Sequence, residues 1–279
     1  MRINRVPMLV AVLAIAAVGC STDDGQPTAT AAKPPLAYVR YINAVPDTMN
    51  TTVRWIDYIE FTPQTFANVA YRGVGQGLYQ GLKAGSRQFR IFNADISSFS
   101  TAGNTAVLSE QTLTFEANKY YTILFTGYAR NGSKKVVLLE DAIPSAGSNV
   151  AIRVLNANTG LGSIDAYKTA GVGDAISGSP AFAAVAEQKY SSYITAAPGA
   201  FAIRATAAGN AANILASGAA PAGTAGTTSA DPIGGATVAG TVLTAMVFPA
   251  SVTGSMAAAS TTPSVVYVVD KQPPRTTSP

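Results

Sequence analysis

The chain has 279 residues, a formal charge of +4, 48% apolar residues and only 12% charged ones. It is too apolar and too weakly charged for a disordered chain, and long enough for two domains. With no histidine and a single cysteine, Cys20, it lacks the usual general base, the Ser-His and Cys-His pairs, the commonest zinc ligand and any intrachain disulfide.

The first element in chain order is an export signal. Basic Arg2 and Arg5 precede an apolar run over residues 6–18, broken only by Pro7 and closed by Gly19-Cys20. The run is short for a bilayer crossing and has the three-part shape of a secretory signal. Removing it takes away Arg2 and Arg5 and lowers the formal charge from +4 to +2. No Lys/Arg run exists elsewhere to follow a phosphate backbone, so nucleic acid is not an expected partner.

"AVGC", residues 17–20, resembles a bacterial lipobox, with Ala17 where leucine is commonest. The resemblance implies cleavage before Cys20, a diacylglyceryl thioether on its sulfur and acylation of the new amine. The membrane, reached through lipid on Cys20, is therefore an expected partner. Each buried methylene adds about 0.8 kcal/mol, so several acyl chains hold stably. Ser21 resembles the pattern for sorting to the outer membrane of Gram-negative cells. Residues 1–19 are read as the signal, and the small, polar, proline-bearing residues 20–35 as a flexible tether.

Strands follow. Tyr38, Arg40 and Ile42 alternate against Val39, Tyr41 and Asn43, and Val53, Trp55 and Asp57 against Arg54, Ile56 and Tyr58. Residues 120–125 and 136–139 are continuous apolar runs, read as central strands buried on both faces. "KAGSR" and "APGAF" read as hairpin turns. Short strands, frequent turns and no long 3.6-residue period predict β-sandwiches.

The pattern occurs twice. Asn43-Ala44 matches Asn156-Ala157 at an offset of 113, "YQGLKAGSRQFRIFNA" matches "YITAAPGAFAIRATAA" at 114, "YTILFTG" matches "LTAMVFP" at 122, and "VVLLED" matches "VVYVVD" at 129. Offsets rising in order describe two copies of one domain, the second carrying extra loop residues. The small-residue stretches 207–236 and 249–263 are expected to be those loops and to be passive. The domains are placed at 36–143 and 148–271, with a disordered tail at 272–279.

The first copy resembles the family called domain of unknown function 4397. The resemblance rests on "YVRYINAVPD", "VRWID", "GLKAGSRQFRIF" and "LTFEANKYYTILFTG". It departs from the family pattern at Ala117-Asn118, where Ala-Gly is usual, and the second copy lacks Pro-Asp. It implies immunoglobulin-like antiparallel sandwiches in the cell envelope and no activity.

The chemistry-bearing patterns are sparse. "GVGQGLYQG" has the wrong third spacing for a dinucleotide loop and no helix after it. Asp57, Glu60, Glu110, Glu116, Glu140 and Asp141 could pair as hydrolytic carboxylates, but Glu140 and Asp141 are neighbours in a strand and face opposite ways. Trp55 alternates with Val53 and belongs to the core, leaving Tyr58 as the candidate glycan contact. Asn43 and Asn156 are expected to bond local backbone at strand ends, and Arg40 and Arg153 to pair with a carboxylate or cover apolar surface. No catalytic, metal-binding or cofactor-binding residue is expected. The sequence thus predicts an all-β, non-enzymatic, lipid-anchored envelope protein with a structural or adhesive role, and a carbohydrate- or cell-wall-binding module as the alternative. A hydrolase is the remote third reading.

Overall fold

The computed structural model describes residues 34–57, 66–75, 79–94, 107–257 and 260–275. Cys20 and Tyr58, and with them the lipidation and glycan-contact expectations, lie outside the described residues. The chain divides into Met1–Pro34 and Pro35–Pro279, and every strand lies in the second unit.

Among the described residues, sixteen strands fall into two sets of eight. The first set is β1 (Leu36–Ala44), β2 (Thr51–Trp55), β3 (Phe66–Val69), β4 (Gln80–Lys83), β5 (Gly85–Asn93), β6 (Val107–Phe115), β7 (Tyr120–Thr126) and β8 (Lys135–Glu140). The second is β9 (Val150–Asn156), β10 (Ile164–Thr169), β11 (Phe182–Val185), β12 (Ile194–Ala196), β13 (Ala202–Ala207), β14 (Asn210–Ala219), β15 (Val242–Phe248) and β16 (Ser264–Lys271). The first set forms sheets ordered β4-β1-β7-β8 and β3-β2-β5-β6; the second forms β12-β9-β15-β16 and β11-β10-β13-β14. The two orders are the same, strand for strand. The fold is all-β: two sandwiches, with no helix among the described residues.

Each sandwich closes over its own core. In the first, Val39 and Tyr41 of β1 and Ile123 and Phe125 of β7 face Val53 and Trp55 of β2 and Phe89 and Ile91 of β5. Trp55 meets Phe89 and Phe115 edge-on at 5.2 and 5.8 Å, the arrangement aromatic quadrupoles favour. In the second, Ile152 and Val154 of β9 and Ala245 and Val247 of β15 face Ile164, Ala166, Ile203 and Ala205.

Four features differ from the sequence expectations. The sheets are antiparallel except for one parallel pair in each sandwich, β1 with β7 and β9 with β15. Parallel neighbours need a long crossover, and the chain between them supplies it by building the opposite sheet.

Second, "KAGSR" and "APGAF" are not hairpin turns. β4 pairs with β1 while β5 pairs with β2 and β6, so the chain changes sheet at Ala84-Gly85, where Gly85 takes φ +111°. β12 and β13 are divided between sheets in the same way.

Third, residues 207–236 are not simply a loop, because they contain β14. Its small residues suit a close approach to β16: a Cβ on Gly218 would lie 2.5 Å from the Val265 carbonyl oxygen. The net gain in length comes from the β14–β15 connection, while β13 and β14 are joined by a two-residue turn, Ala208-Gly209.

Fourth, β1, β7, β9 and β15 are buried on both faces for a reason outside their own sandwiches. The outer faces of β4-β1-β7-β8 and β12-β9-β15-β16 pack on each other. Ile42, Leu124 and Leu139 there meet Leu155, Met246, Phe248 and Val268 in one apolar cluster. The stretch 249–263 is part of this seam too: Tyr71 Oη and Arg72 Nη2 both donate to the Pro249 carbonyl at 2.6 Å, and Val252 N donates to the Pro46 carbonyl at 2.9 Å. At the chain's end, Gln272, in the stretch expected to be a disordered tail, accepts from Gly234 N at 2.6 Å.

Candidate functional site

The buried ionisable side chains gather at the seam. Arg40 and Arg153 project from the outward faces of β1 and β9, where period-two alternation places them opposite the core residues. Asp141 and Asp270 stand at the ends of β8 and β16. Arg40 Nη1 donates to Asp270 Oδ1 at 2.6 Å, and Arg153 Nη2 donates to Asp141 Oδ1 at 2.6 Å. Each arginine therefore binds the aspartate of the other sandwich. It also lies near the aspartate of its own, at 3.9 Å for Arg40–Asp141 and 3.8 Å for Arg153–Asp270. The four side chains form a ring of alternating charge, with Arg40, Asp141 and Asp270 fully buried and Arg153 nearly so.

The supporting bonds come in matched pairs. Arg40 Nε donates to Thr122 Oγ1 and Arg153 Nε to Thr244 Oγ1, both at 2.8 Å. Thr122 Oγ1 in turn donates to Asp141 Oδ2 at 2.6 Å, and Thr244 Oγ1 to Asp270 Oδ2 at 2.5 Å. Tyr79 Oη donates to Asp141 at 2.9 Å, and Tyr193 Oη to Asp270 at 2.8 Å. The seam is thus close to an isologous contact, the same patch meeting itself. Symmetry breaks at Tyr190, whose hydroxyl bonds Thr122 at 2.9 Å and whose ring lies 3.5 Å from the Arg153 guanidinium carbon. Val74 takes that place in the first sandwich, bridging Ile42 as Tyr190 bridges Leu155.

Burial works against the charge on both arginines, but the surrounding acidic groups outweigh it and both pKa values rise. Burial is also the largest cause raising the pKa values of Tyr79 and Tyr193, and it pushes Tyr190 up to about 12. Both arginines therefore keep their charge through ordinary pH.

The repeated asparagines have structural partners. Asn43 Nδ2 donates to the Val69 carbonyl at 3.0 Å while its Oδ1 accepts from Val45 N at 3.2 Å. Asn156 does the same with Val185 at 2.9 Å and Asn158 N at 3.2 Å. Glu140 and Asp141 do face apart: Glu140 accepts from exposed Lys119 at 3.2 Å, and Asp141 enters the seam. Glu110 is engaged by Arg90 at 2.7 Å and Asp57 by Arg87 at 3.2 Å. Gly73 and Gly75 lie in the turn after β3, where a Cβ on Gly75 would press within 2.6 Å of the Phe66 ring.

Sequence reasoning did not find the ring itself. The signal was available: Arg40 and Arg153 recur at one offset and Asp141 and Asp270 at another, inside strands whose both faces are apolar. A second missed match is "FANVA" at 66–70 against "FAAVA" at 182–186. There the chain takes positive φ at Asn68 and Arg72, and again at Ala184 and Gln188, and β2–β3 and β10–β11 share a register irregularity.

A separate cleft of about 250 Å³ lies beside β10, lined among others by Tyr167, Lys168, Thr169, Asp174, Ser177 and Ser179. Among the described residues no group of three or more His, Cys, Asp or Glu could hold a metal ion, and no helix is long and apolar enough to cross a membrane.

Among known families, Domain of unknown function (DUF4397) matches residues 37–167. That span, just under half of the chain, takes in the first sandwich from the second residue of β1 onward and ends inside β10. No curated protein matches in sequence. Among solved structures, the chain is similar to CBMbc, a family CBM26 module from Eubacterium rectale Amy13K solved with maltoheptaose. The identity is 14%, the coverage 86% of this chain and 98% of that one, and the TM-score 0.21. A likeness at that level carries nothing about the site, and the sandwich architecture rests on the strand pairings themselves.

Proposed function

We propose that this chain is a non-enzymatic protein of the bacterial cell envelope, anchored by lipid on Cys20 and carrying two copies of the DUF4397 domain in a structural or interaction role. The observation that carries the non-enzymatic reading is the fate of the buried carboxylates. Four aspartates are buried among the described residues: Asp47, Asp141, Asp165 and Asp270. Asp141 and Asp270 are held by arginine, threonine and tyrosine. Asp47 accepts from Ala129 N and Arg130 N, and Asp165 from Ala184 N and Gly209 N. Every one is spent on holding strands and loops together. Hydrolysis by paired carboxylates needs one acid and one base facing an open substrate site, and these four face protein donors.

The second copy is supported by identical strand order, the matched positive-φ residues and the exchanged Arg–Asp bonds. The lipid anchor is supported by the lipobox-like residues 17–20 and by the position of the one cysteine. With an anchor at the chain's start, a fused pair of sandwiches makes a stiff body held at the membrane, suited to presenting a surface, and the envelope of a Gram-negative cell, at the outer membrane, is the expected place.

The test is expression in a Gram-negative host fed labelled palmitate, followed by membrane fractionation. The wild-type chain should take up label and travel with the outer membrane, and Cys20→Ala should remain unlabelled and uncleaved. Label persisting in Cys20→Ala would sink the anchor. Hydrolysis of chromogenic glycosides, lost in Asp141→Asn or Asp270→Asn, would sink the non-enzymatic reading.

A further inference from the structure

The connection between β10 and β11 builds a cleft that the envelope role does not use. In β10, Ile164 and Ala166 point into the core, so Tyr167 points outward, yet it is only 7% exposed. What covers that face is the connection itself. Arg204 of β13, directly opposite Tyr167 in register, donates to the Asp174 carbonyl and fastens the connection over the sheet. Thr169 Oγ1 donates to the Gly171 carbonyl at 2.8 Å, and Gly171 N donates to Asp174 Oδ2 at 2.6 Å. The cleft walls are therefore set before any ligand arrives, which lowers the ordering cost of binding.

We propose that this cleft binds a neutral polyhydroxylated ligand, one sugar ring of a glycan. Three observations point there. The volume, about 250 Å³, falls just under the range of roughly 300–1,000 Å³ for drug-sized ligands, which suits a single ring. The lining is made of groups that pair with hydroxyls: Ser177 and Ser179 both donate and accept, Thr169, whose proton goes to Gly171, accepts, and Asp174 accepts. Of the lining residues, Asp174 presents its charge and turns an anion away, while Lys168 leaves by the core face of β10 with its ammonium 5.2 Å from the Phe201 ring. A neutral ligand with many hydroxyls can use the Asp174 carboxylate and the hydroxyls of Thr169, Ser177 and Ser179 together.

The register places Lys168 opposite Ile203 and Trp55 opposite Phe89. The first sandwich therefore carries the core tryptophan Trp55 where the second has Lys168, whose ammonium lies over the Phe201 ring. This inference goes beyond the envelope role and does not depend on Cys20.

The test is saturation-transfer NMR on the full-length protein. The sugar probes are glucose, galactose, mannose and N-acetylglucosamine; inorganic phosphate and glycine are the charged probes. At least one sugar should bind and neither charged probe should. Ser179→Trp, filling the cleft from an exposed position, and Asp174→Asn, removing the charged acceptor, should each weaken sugar binding tenfold or more, with the thermal midpoint unchanged. Should Ser179→Trp unsettle the fold, Asp174→Asn decides alone. The proposal is overturned if none of the four sugars binds, if only phosphate or glycine binds, or if sugar binding survives Asp174→Asn undiminished.

Discussion

Arg40 and Asp270 are 230 positions apart in the chain and meet at 2.6 Å in the fully buried seam between the sandwiches. The same bond is made in exchanged form by Arg153 and Asp141. Breaking such a pair leaves a charge buried without its partner, which costs about 3–5 kcal/mol. Arg40→Ala should lose that much in urea denaturation, and Arg40→Ala/Asp270→Ala should lose less than the two single variants added together. A loss for Arg40→Ala below about 1 kcal/mol, the level of an exposed pair, would mean that the ring does not hold the sandwiches together.

The buried phenols predict how the fold fails in base. Burial is the largest cause raising the pKa values of Tyr41, Tyr71, Tyr79, Tyr190, Tyr193 and Tyr267, with Tyr71 and Tyr190 reaching about 12. A folded-state pKa above the unfolded value means that the folded chain keeps a proton the unfolded chain gives up. Stability is therefore unaffected below about pH 10 and falls as pH rises through 10 toward 12. Absorbance at 295 nm should show a phase of tyrosine ionisation that appears only as circular dichroism reports unfolding. All twelve tyrosines ionising together in the folded state would contradict the buried seam.

Much of the fold was legible because the strands carry period-two patterns and recur in order. The core role of Trp55 and the backbone-bonding role of Asn43 follow from local alternation and strand-end chemistry. The seam was not legible, because continuous burial in Tyr120–Thr126 or Val150–Asn156 shows that both faces are covered and not what covers them. β14 was missed for a related reason. Its alanines, serine and glycine score as loop, while its strand state is imposed by pairing with β13 and by closeness to β16. The cleft had still less signal, since Thr169, Asp174 and Ser179 come together only when residues 170–181 fold back over β10.

Gly218 tests the account of β14. Its Cβ position lies 2.5 Å from the Val265 carbonyl oxygen and 2.9 Å from the Val265 Cβ, and Tyr267 Oη donates to the Gly218 carbonyl at 2.9 Å. Backbone cannot yield as a flexible side chain can, so Gly218→Val must push β14 away from β16 despite valine's preference for strands. Overpacking of this kind costs about 1–3 kcal/mol, read as a lowered urea midpoint. A stabilised variant would show that strand preference outweighs the close approach.

Asp47 belongs to the Pro-Asp turn that the second sandwich lacks, and its contacts explain the difference. Its two carboxylate oxygens accept from Ala129 N at 2.8 Å and Arg130 N at 2.9 Å, clamping the loop between β7 and β8. In the second sandwich the loop after β15 is instead tied across the seam, by Tyr71 and Arg72 at Pro249 and by Pro46 at Val252. Hydrogen bonds to a charged acceptor contribute about 1.5–3 kcal/mol, and removing the acceptor strands both donors. Asp47→Ala should therefore lose about 2–3 kcal/mol in urea, and amide exchange should speed up at Ala129 and Arg130 first. Since Pro46 also holds Val252, exchange at Val252 should rise next, ahead of β1 and β7. Protection unchanged at Ala129 and Arg130 would show that the loop holds its shape without the aspartate.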